Sequence, residues 1–441
     1  MKKLQYLHRK RIHFIGIGGI SMSGLAKIVI SNGGIVSGSD VADGREIREL
    51  ISLGAIITIG HNANNILPSY DLVVFSSAIA KDNCELIRSQ MLGIKVMERS
   101  EFLGELSSHY NKVIAVSGTH GKTTTTAIIA EILSKAGLLP TIHLGGESVG
   151  LKGNTIIGNT EYFIVEACEY KESFRFLHPY IGVITNIEHD HPDYYKSIDD
   201  IYLAFTRFAS NSQCLITNKS INIPHDNSIS IDSDWEVRNI EFIGNGYNFN
   251  VYHSRQFYGE FRINMLGLHN ITNSIFAIAV AHQMDVPQDV IKSSIAGFQG
   301  VERRYECIHT YETGCRVIID YAHHPTELKT SIEGLNGVYK RILYLFQPHT
   351  YSRTKALFND FIDVLGKLSN IIIYPTYAAR EKEIAGGRAI DIYTALGLKD
   401  KYYIDNIESL ISTMKSFSTT FDCILVLGAG DLADKLKSSL Y

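Results

Sequence analysis

Ser117-Gly118-Thr119-His120-Gly121-Lys122-Thr123-Thr124 stands between an apolar run, Val113-Ile114-Ala115-Val116, and residues 125–133, whose apolar positions recur at helical spacing. The apolar run reads as a buried strand and the following segment as a helix. A glycine loop carrying Lys-Thr between them makes a phosphate cradle: backbone N–H groups and the helix N-terminus face an anion, Lys122 adds positive charge, and a threonine hydroxyl reaches Mg²⁺. Val116 stands where G-x-x-x-x-G-K-[ST] requires its first glycine, so the loop is one glycine short of the standard form. An ordinary strand-to-helix turn can also contain Gly-Lys. The strand before the loop and the threonines after the lysine favour a nucleoside triphosphate site.

Working outward, strand-like and helix-like segments alternate over the whole chain, which predicts an α/β protein with parallel sheets covered by helices. At 441 residues it exceeds what one core supports, so two to four domains are expected. The first unit carries strands near 12–15, 35–37, 55–58 and 71–75, with a helix over 21–31. A polar stretch, 105–112, separates it from the phosphate-loop strand. The second unit adds strands at 162–165, 181–184 and 214–217, then a polar, turn-rich tract over 218–238 that suggests an insertion or surface hairpin. The third has strands near 316–319, 341–345, 370–373 and 423–427.

Composition narrows the function. With 42 basic against 46 acidic residues the net charge is −4, so no basic field points to nucleic acid. No apolar run is long enough to span a membrane. The basic start, Met1 to Leu7, lacks the apolar core of a secretory signal. Six cysteines without paired spacing read as small core residues in a reducing compartment, and a cytoplasmic protein is expected.

Three further constellations carry chemistry. Gly16-Ile17-Gly18-Gly19-Ile20-Ser21 is a variant dinucleotide fingerprint in which Ser21 replaces the third glycine, and Asp40 lies where an acid after the second strand meets a ribose hydroxyl. The loop suggests a ligand containing pyrophosphate without identifying it. In the second unit Glu166 ends a buried strand, and another strand end reads Thr185-Asn186-Ile187-Glu188-His189-Asp190-His191-Pro192-Asp193; an acid at one strand tip and a histidine at another can hold metal against a triphosphate. Asn270 and Asn273, at i and i+3 of a helix start, either meet an adenine edge or act as helix caps. In the third unit, strand ends at Asp320-Tyr321-Ala322-His323-His324-Pro325, Gln347-Pro348-His349-Thr350-Tyr351-Ser352-Arg353 and Tyr374-Pro375-Thr376-Tyr377-Ala378-Ala379-Arg380-Glu381 form one face suited to a small anion or carboxylate.

In order, these pieces resemble the Mur ligases over essentially the whole chain. The motifs are Gly-Ile-Gly-Gly-Ile-Ser-Met-Ser-Gly (16–24), Gly-Thr-His-Gly-Lys-Thr-Thr (118–124), His-Asn-Ile-Thr-Asn (269–273), Asp-Tyr-Ala-His-His-Pro-Thr-Glu (320–327) and Phe-Gln-Pro-His-Thr-Tyr-Ser-Arg (346–353). The short phosphate loop is the family's own form. The last two motifs point to its alanine-adding member, and Thr350 departs from the arginine some members carry.

The resemblance implies an N-terminal Rossmann-like domain for a UDP-sugar (1–108), a central P-loop ATPase domain (109–300) and a C-terminal Rossmann-like domain for amino acid and ATP (301–441). It implies ATP-dependent ligation of L-alanine to the lactyl carboxylate of UDP-N-acetylmuramate through an acyl phosphate, in peptidoglycan precursor synthesis, with ATP and two Mg²⁺ ions. By position, Gly118, Thr119, His120, Gly121, Lys122, Thr123 and Thr124 would hold the triphosphate, with Asn270 and Asn273 on adenine, Asp320 on ribose and Arg304 on phosphate. Thr123, Glu166 and His191 would hold metal, Lys122, Glu166 and His191 being the catalytic set. Gly16, Gly18, Gly19, Ser21, Asp40, Ser76 and Ser77 would bind the UDP-sugar, and Tyr321, His349 and Arg353 the alanine. The alternatives are the recycling ligase that joins a murein peptide to the same sugar, a nicotinamide-dependent oxidoreductase using the first loop, and a P-loop switch.

Overall fold

A computed structural model describes residues 4–191, 194–335, 338–379 and 381–440. Pro192, Asp193 and Arg380 of the runs quoted above lie outside the described residues.

The first sheet comprises β1 (Arg11–Ile15), β2 (Ile35–Asp40), β3 (Ile56–Ile59), β4 (Leu72–Phe75) and β5 (Lys95–Glu98). Its order is β3-β2-β1-β4-β5, with every pairing parallel. The order reverses between β1 and β4, so the crevice at their carboxyl ends opens beside the first glycine loop.

The central sheet has ten strands: β6 (Lys112–Ser117), β7 (Thr141–Ser148), β8 (Gly153–Ile156), β9 (Tyr162–Glu166), β10 (Ile181–Ile184), β11 (Cys214–Asn218), β12 (Ser228–Ile231), β13 (Trp235–Ile243), β14 (Gly246–His253) and β15 (Gln256–Ile263). They run in the order β15-β14-β13-β12-β11-β10-β6-β9-β7-β8. The inner strands are parallel and buried on both faces, as continuous apolar runs such as Val113–Val116 require. The tract over 218–238 contributes β12 and the start of β13, which turns into an antiparallel β13–β14–β15 meander. One face of that meander is open, so its residues alternate and give no long apolar run.

The third sheet comprises β16 (Glu306–Thr310), β17 (Arg316–Asp320), β18 (Ile342–Phe346), β19 (Asn370–Ile373), β20 (Asp400–Tyr403) and β21 (Cys423–Leu427), ordered β16-β17-β21-β18-β19-β20. Only β16 is antiparallel. The molecule is thus a three-domain α/β protein.

Packing ties the first two sheets together. The helix Arg99–Ser107 leaves the first unit and lies on residues 170–176, where a β-carbon on Gly104 would come 2.5 Å from Phe176 Cβ. Tyr110 then stacks on Phe163 of β9 at 4.8 Å. The polar stretch at 105–112 is therefore a packed junction. The cysteines divide: Cys214, Cys315 and Cys423 are buried as expected, whereas Cys84 and Cys307 are exposed. None of the six is in a disulfide.

Candidate active site

The phosphate loop leaves β6 at its carboxyl end. Gly118 takes a φ of +134°, and a β-carbon there would overlap Thr185 Oγ1. Gly121 is left-handed at +81° and caps the helix Lys122–Lys135. The loop is tied to the end of β10: His120 N donates to Asn186 Oδ1 at 2.8 Å, and Thr185 Oγ1 donates to His120 O at 2.6 Å. The cradle shape is thus set by glycine geometry and one neighbouring strand tip.

Lys122 Nζ donates to Gly118 O (2.5 Å), Thr119 O (3.0 Å) and Glu169 Oε1 (3.0 Å). Burial opposes its charge, but Glu169 more than restores it, so the lysine pKa stands above its ordinary value. Glu169 also lies 3.4 Å from His191 Nε2, which is 3.6 Å from Asp190 Oδ2. One ligand atom from each of Glu169, Asp190 and His191 falls within 4.8 Å of the other two. Two carboxylates and an imidazole at that spacing can hold a divalent cation beside Lys122. Glu166 stands apart from this group, its Oε2 accepting Gly145 N–H at 3.0 Å. A β-carbon on the next residue, Gly146, would come 3.3 Å from Thr123 Cγ2. Glu169 and Asp190 carry signals the sequence reading passed over, three residues after Glu166 and one before His191.

Between the central and C-terminal domains lies a cavity of about 270 Å³. It is lined by His120, Gly121, Thr124, Asn270, Asn273, Arg304 and Asp320, with Glu188, His269, Tyr305 and Glu327 added. Asn273 Nδ2 donates to Asn270 Oδ1 at 3.1 Å, and Asn270 Nδ2 donates to Leu266 O at 2.7 Å. They are not caps, since Leu268 precedes the helix His269–Gln283 and no side chain caps it. Buried Asp320 accepts from Ser331 Oγ (2.8 Å), Ala322 N (3.0 Å) and Tyr305 N (3.1 Å), and burial raises its pKa.

The three strand ends of the C-terminal domain meet. His349 stacks on Tyr377 at 5.6 Å and faces His323 at 5.6 Å, while Thr350 N donates to Tyr377 O at 2.9 Å. Arg353 places Nη1 3.4 Å from His349 Nδ1 and Nη2 3.5 Å from Asp190 Oδ1 of the central domain. Burial and the Arg353 charge push His349 down to about 4, so it is neutral at pH 7. The Tyr321 ring lies 5.3 Å beneath the Arg304 guanidinium, which is 3.8 Å from Glu327.

At the first glycine loop, Gly18 N donates to Asp40 Oδ2 at 2.8 Å. A β-carbon on Gly16 would come 3.3 Å from Ser76 Cβ, and Ser77 beyond it is exposed. Gly19 precedes the helix Ile20–Ser31. Ser21 Oγ lies 2.9 Å from His143 Nε2 and accepts from Arg99 Nη1 at 3.3 Å. Neither Arg99 nor His143 could be read from sequence, because both sit inside elements far from the loop they support.

In this arrangement the chain's own carboxylates pair with the cations of the seam: Glu169 with Lys122, Asp190 with Arg353, Glu327 with His120 at 3.2 Å. A phosphate or carboxylate entering the seam would exchange with them at little change in net charge.

Comparisons with known proteins cover the same ground. Residues 11–111 match the model "Mur ligase family, catalytic domain", 116–281 the "Mur ligase middle domain" and 303–430 the "Mur ligase, glutamate ligase domain". A UDP-N-acetylmuramate–L-alanine ligase of Caldanaerobacter subterraneus is 41% identical over 96% of this chain and 95% of that protein. The crystal structure of the UDP-N-acetylmuramate–alanine ligase of Thermotoga maritima superposes with a TM-score of 0.82 at 28% identity, over 98% of both chains. A murein peptide ligase of Psychrobacter arcticus shares the fold, with a TM-score of 0.71 at 22% identity.

Proposed function

The chain belongs to the Mur ligase family, and from its site we infer that it joins L-alanine to the lactyl carboxylate of UDP-N-acetylmuramate, cleaving ATP to ADP and phosphate. One observation carries this reading: Arg353, suited to a small carboxylate, stands 3.5 Å from Asp190 beside the lysine of a phosphate cradle. An amino-acid carboxylate and a triphosphate are thereby brought to one seam. Relatives at about 40% identity over nearly their full lengths support the same substrates. An oxidoreductase using the first loop leaves the Lys122 cradle without a purpose.

In this reading residues 1–108 hold the UDP-sugar, with Gly16, Gly18 and Gly19 and the helix beyond them facing pyrophosphate and Asp40, Ser76 and Ser77 bordering the crevice. Ser21, oriented by His143 and Arg99, adds a hydroxyl at the helix start. Residues 109–300 bind ATP: Asn270 and Asn273 face adenine, Asp320 and Arg304 come from the adjoining domain, and Lys122 leaves Glu169 for the phosphates. Thr123, Glu166 and His191 would hold Mg²⁺, two ions being expected, and Glu169 and Asp190, whose oxygens lie close to His191, would join the histidine's site while Glu166 serves apart from it. Bound there, Mg²⁺ supplies positive charge to the phosphoryl oxygens.

The carboxylate is a poor electrophile until it carries a leaving group. Lys122 neutralises charge on the transferring phosphoryl group as the lactyl oxygen attacks phosphorus and ADP departs. Arg353 and His349 hold alanine so that its amine meets the acyl carbon and phosphate leaves. Closing the seam keeps water from the acyl phosphate. Measuring phosphate release with each substrate omitted in turn tests the reading; release that does not require both the sugar nucleotide and alanine overturns it.

A further inference from the structure

His324 precedes the helix Pro325–Leu335 at the seam between the central and C-terminal domains. Its Nδ1 accepts the Thr326 N–H at 3.3 Å. An imidazole that accepts through Nδ1 carries its proton on Nε2. Among the described residues that Nε2 is buried without a hydrogen-bond partner, on a side chain whose residue is only 7% exposed. An orphaned N–H inside a protein is destabilising unless a ligand completes it.

Its surroundings identify that ligand. The ring faces His120 of the phosphate loop, with centroids 5.5 Å apart. Asp190, which faces Arg353, and Glu327 also act on its charge, and burial lowers its pKa. His120, Glu188 and His324 offer ligand atoms within 4.8 Å of one another, which resembles a metal site. A ligating imidazole needs a bare nitrogen, however, and Nδ1 is engaged while Nε2 bears the proton. An N–H donor fits an oxygen acceptor instead, and the oxygen-rich group brought to this seam is the γ-phosphoryl.

Resting on the ligase reading above, we propose that His324 is a catalytic residue whose Nε2–H donates a hydrogen bond to an oxygen of the transferring phosphoryl group. No proton changes hands. As the lactyl oxygen bonds to phosphorus and the bond to ADP breaks, this donor meets an oxygen on which negative charge is held, adding to Lys122 from the opposite domain. The donor reaches the phosphoryl only when both domains embrace the nucleotide, which couples closure to chemistry.

Two substitutions separate this role from capping the helix. His324→Asn keeps an acceptor for Thr326 N–H and loses the distal donor. His324→Gln keeps an N–H donor near Nε2 and loses the cap. With the full chain, ATP, UDP-N-acetylmuramate and alanine, kcat is expected to fall about 100-fold in His324→Asn, in line with removal of one charge-stabilising donor. His324→Gln should stay within tenfold of the parent, with KM for ATP and alanine little changed in both. Thermal unfolding shows whether each variant is folded. Activity kept by His324→Asn and lost by His324→Gln would make the residue a cap, and equal activities in the two folded variants would also overturn the proposal. Absence of alanine-dependent product in the parent chain would instead overturn the ligase reading.

Discussion

Arg353 and Asp190 lie 3.5 Å apart across two domains, and Arg353 is also 3.4 Å from His349 Nδ1. The guanidinium is thus held between a carboxylate of the central domain and a neutral imidazole of its own. In the proposed reading an incoming amino-acid carboxylate would exchange with Asp190 and make two parallel bonds that a lysine ammonium cannot reproduce. Arg353→Lys is therefore expected to raise the KM for alanine at least tenfold, about 1.4 kcal/mol, and to leave the KM for ATP nearly unchanged. A raised KM for ATP alone would move Arg353 to the nucleotide site.

Lys122→Ala is expected to abolish ligation in a protein that still folds. It should also lower stability, because removing one partner of a buried ion pair costs about 3–5 kcal/mol. Lys122→Ala combined with Glu169→Gln should recover part of the lost Tm and none of the turnover. Near-normal turnover in either folded variant would remove Lys122 from the chemistry.

Gly118→Ala should fold poorly around the cradle. The position combines a φ of +134° with overlap between any β-carbon and Thr185 Oγ1. Equilibrium binding of an ATP analogue should weaken at least tenfold, while binding of UDP-N-acetylmuramate persists. Unaltered ATP-analogue affinity would show that the loop relaxes without loss.

Stability should depend on pH from both sides. Burial holds His13, His269 and His349 at about 4, and His143 and His323 at about 3, against 6.5 unfolded. Across that window the unfolded chain binds more protons, so stability is lost as pH falls below 6.5 toward 3. His120 behaves oppositely: despite burial, Glu188 and Glu327 raise it to about 9. Its contribution is complete below 6.5 and disappears as pH rises through 9. Tm measured over this range should fall steeply on the acid side, and a Tm at pH 5 equal to that at pH 7 would contradict the assignment.

Much of this was legible in sequence because parallel sheets concentrate chemistry at strand tips. Lys122, His191, Asp320 and His349 each follow an apolar run; Asp320 ends β17, and the other three lie in the segments that leave the carboxyl ends of β6, β10 and β18. The β13–β15 meander was harder, since a half-exposed antiparallel sheet leaves only short alternation. Arg99 and His143 were not readable: their role depends on two domains meeting at Ser21, and no local spacing records that contact. Glu169 shows a third limit, because the pairing of Lys122 with a carboxylate 47 residues later exists only once β9 lies beside β6.

The most direct measurement supplies the full-length protein with ATP, Mg²⁺, UDP-N-acetylmuramate and equimolar L-alanine and murein tripeptide, and weighs the product by mass spectrometry. The account expects UDP-N-acetylmuramate extended by a single alanyl residue, formed in step with ADP and phosphate. A product carrying the tripeptide, or ADP released without any amide, would contradict it.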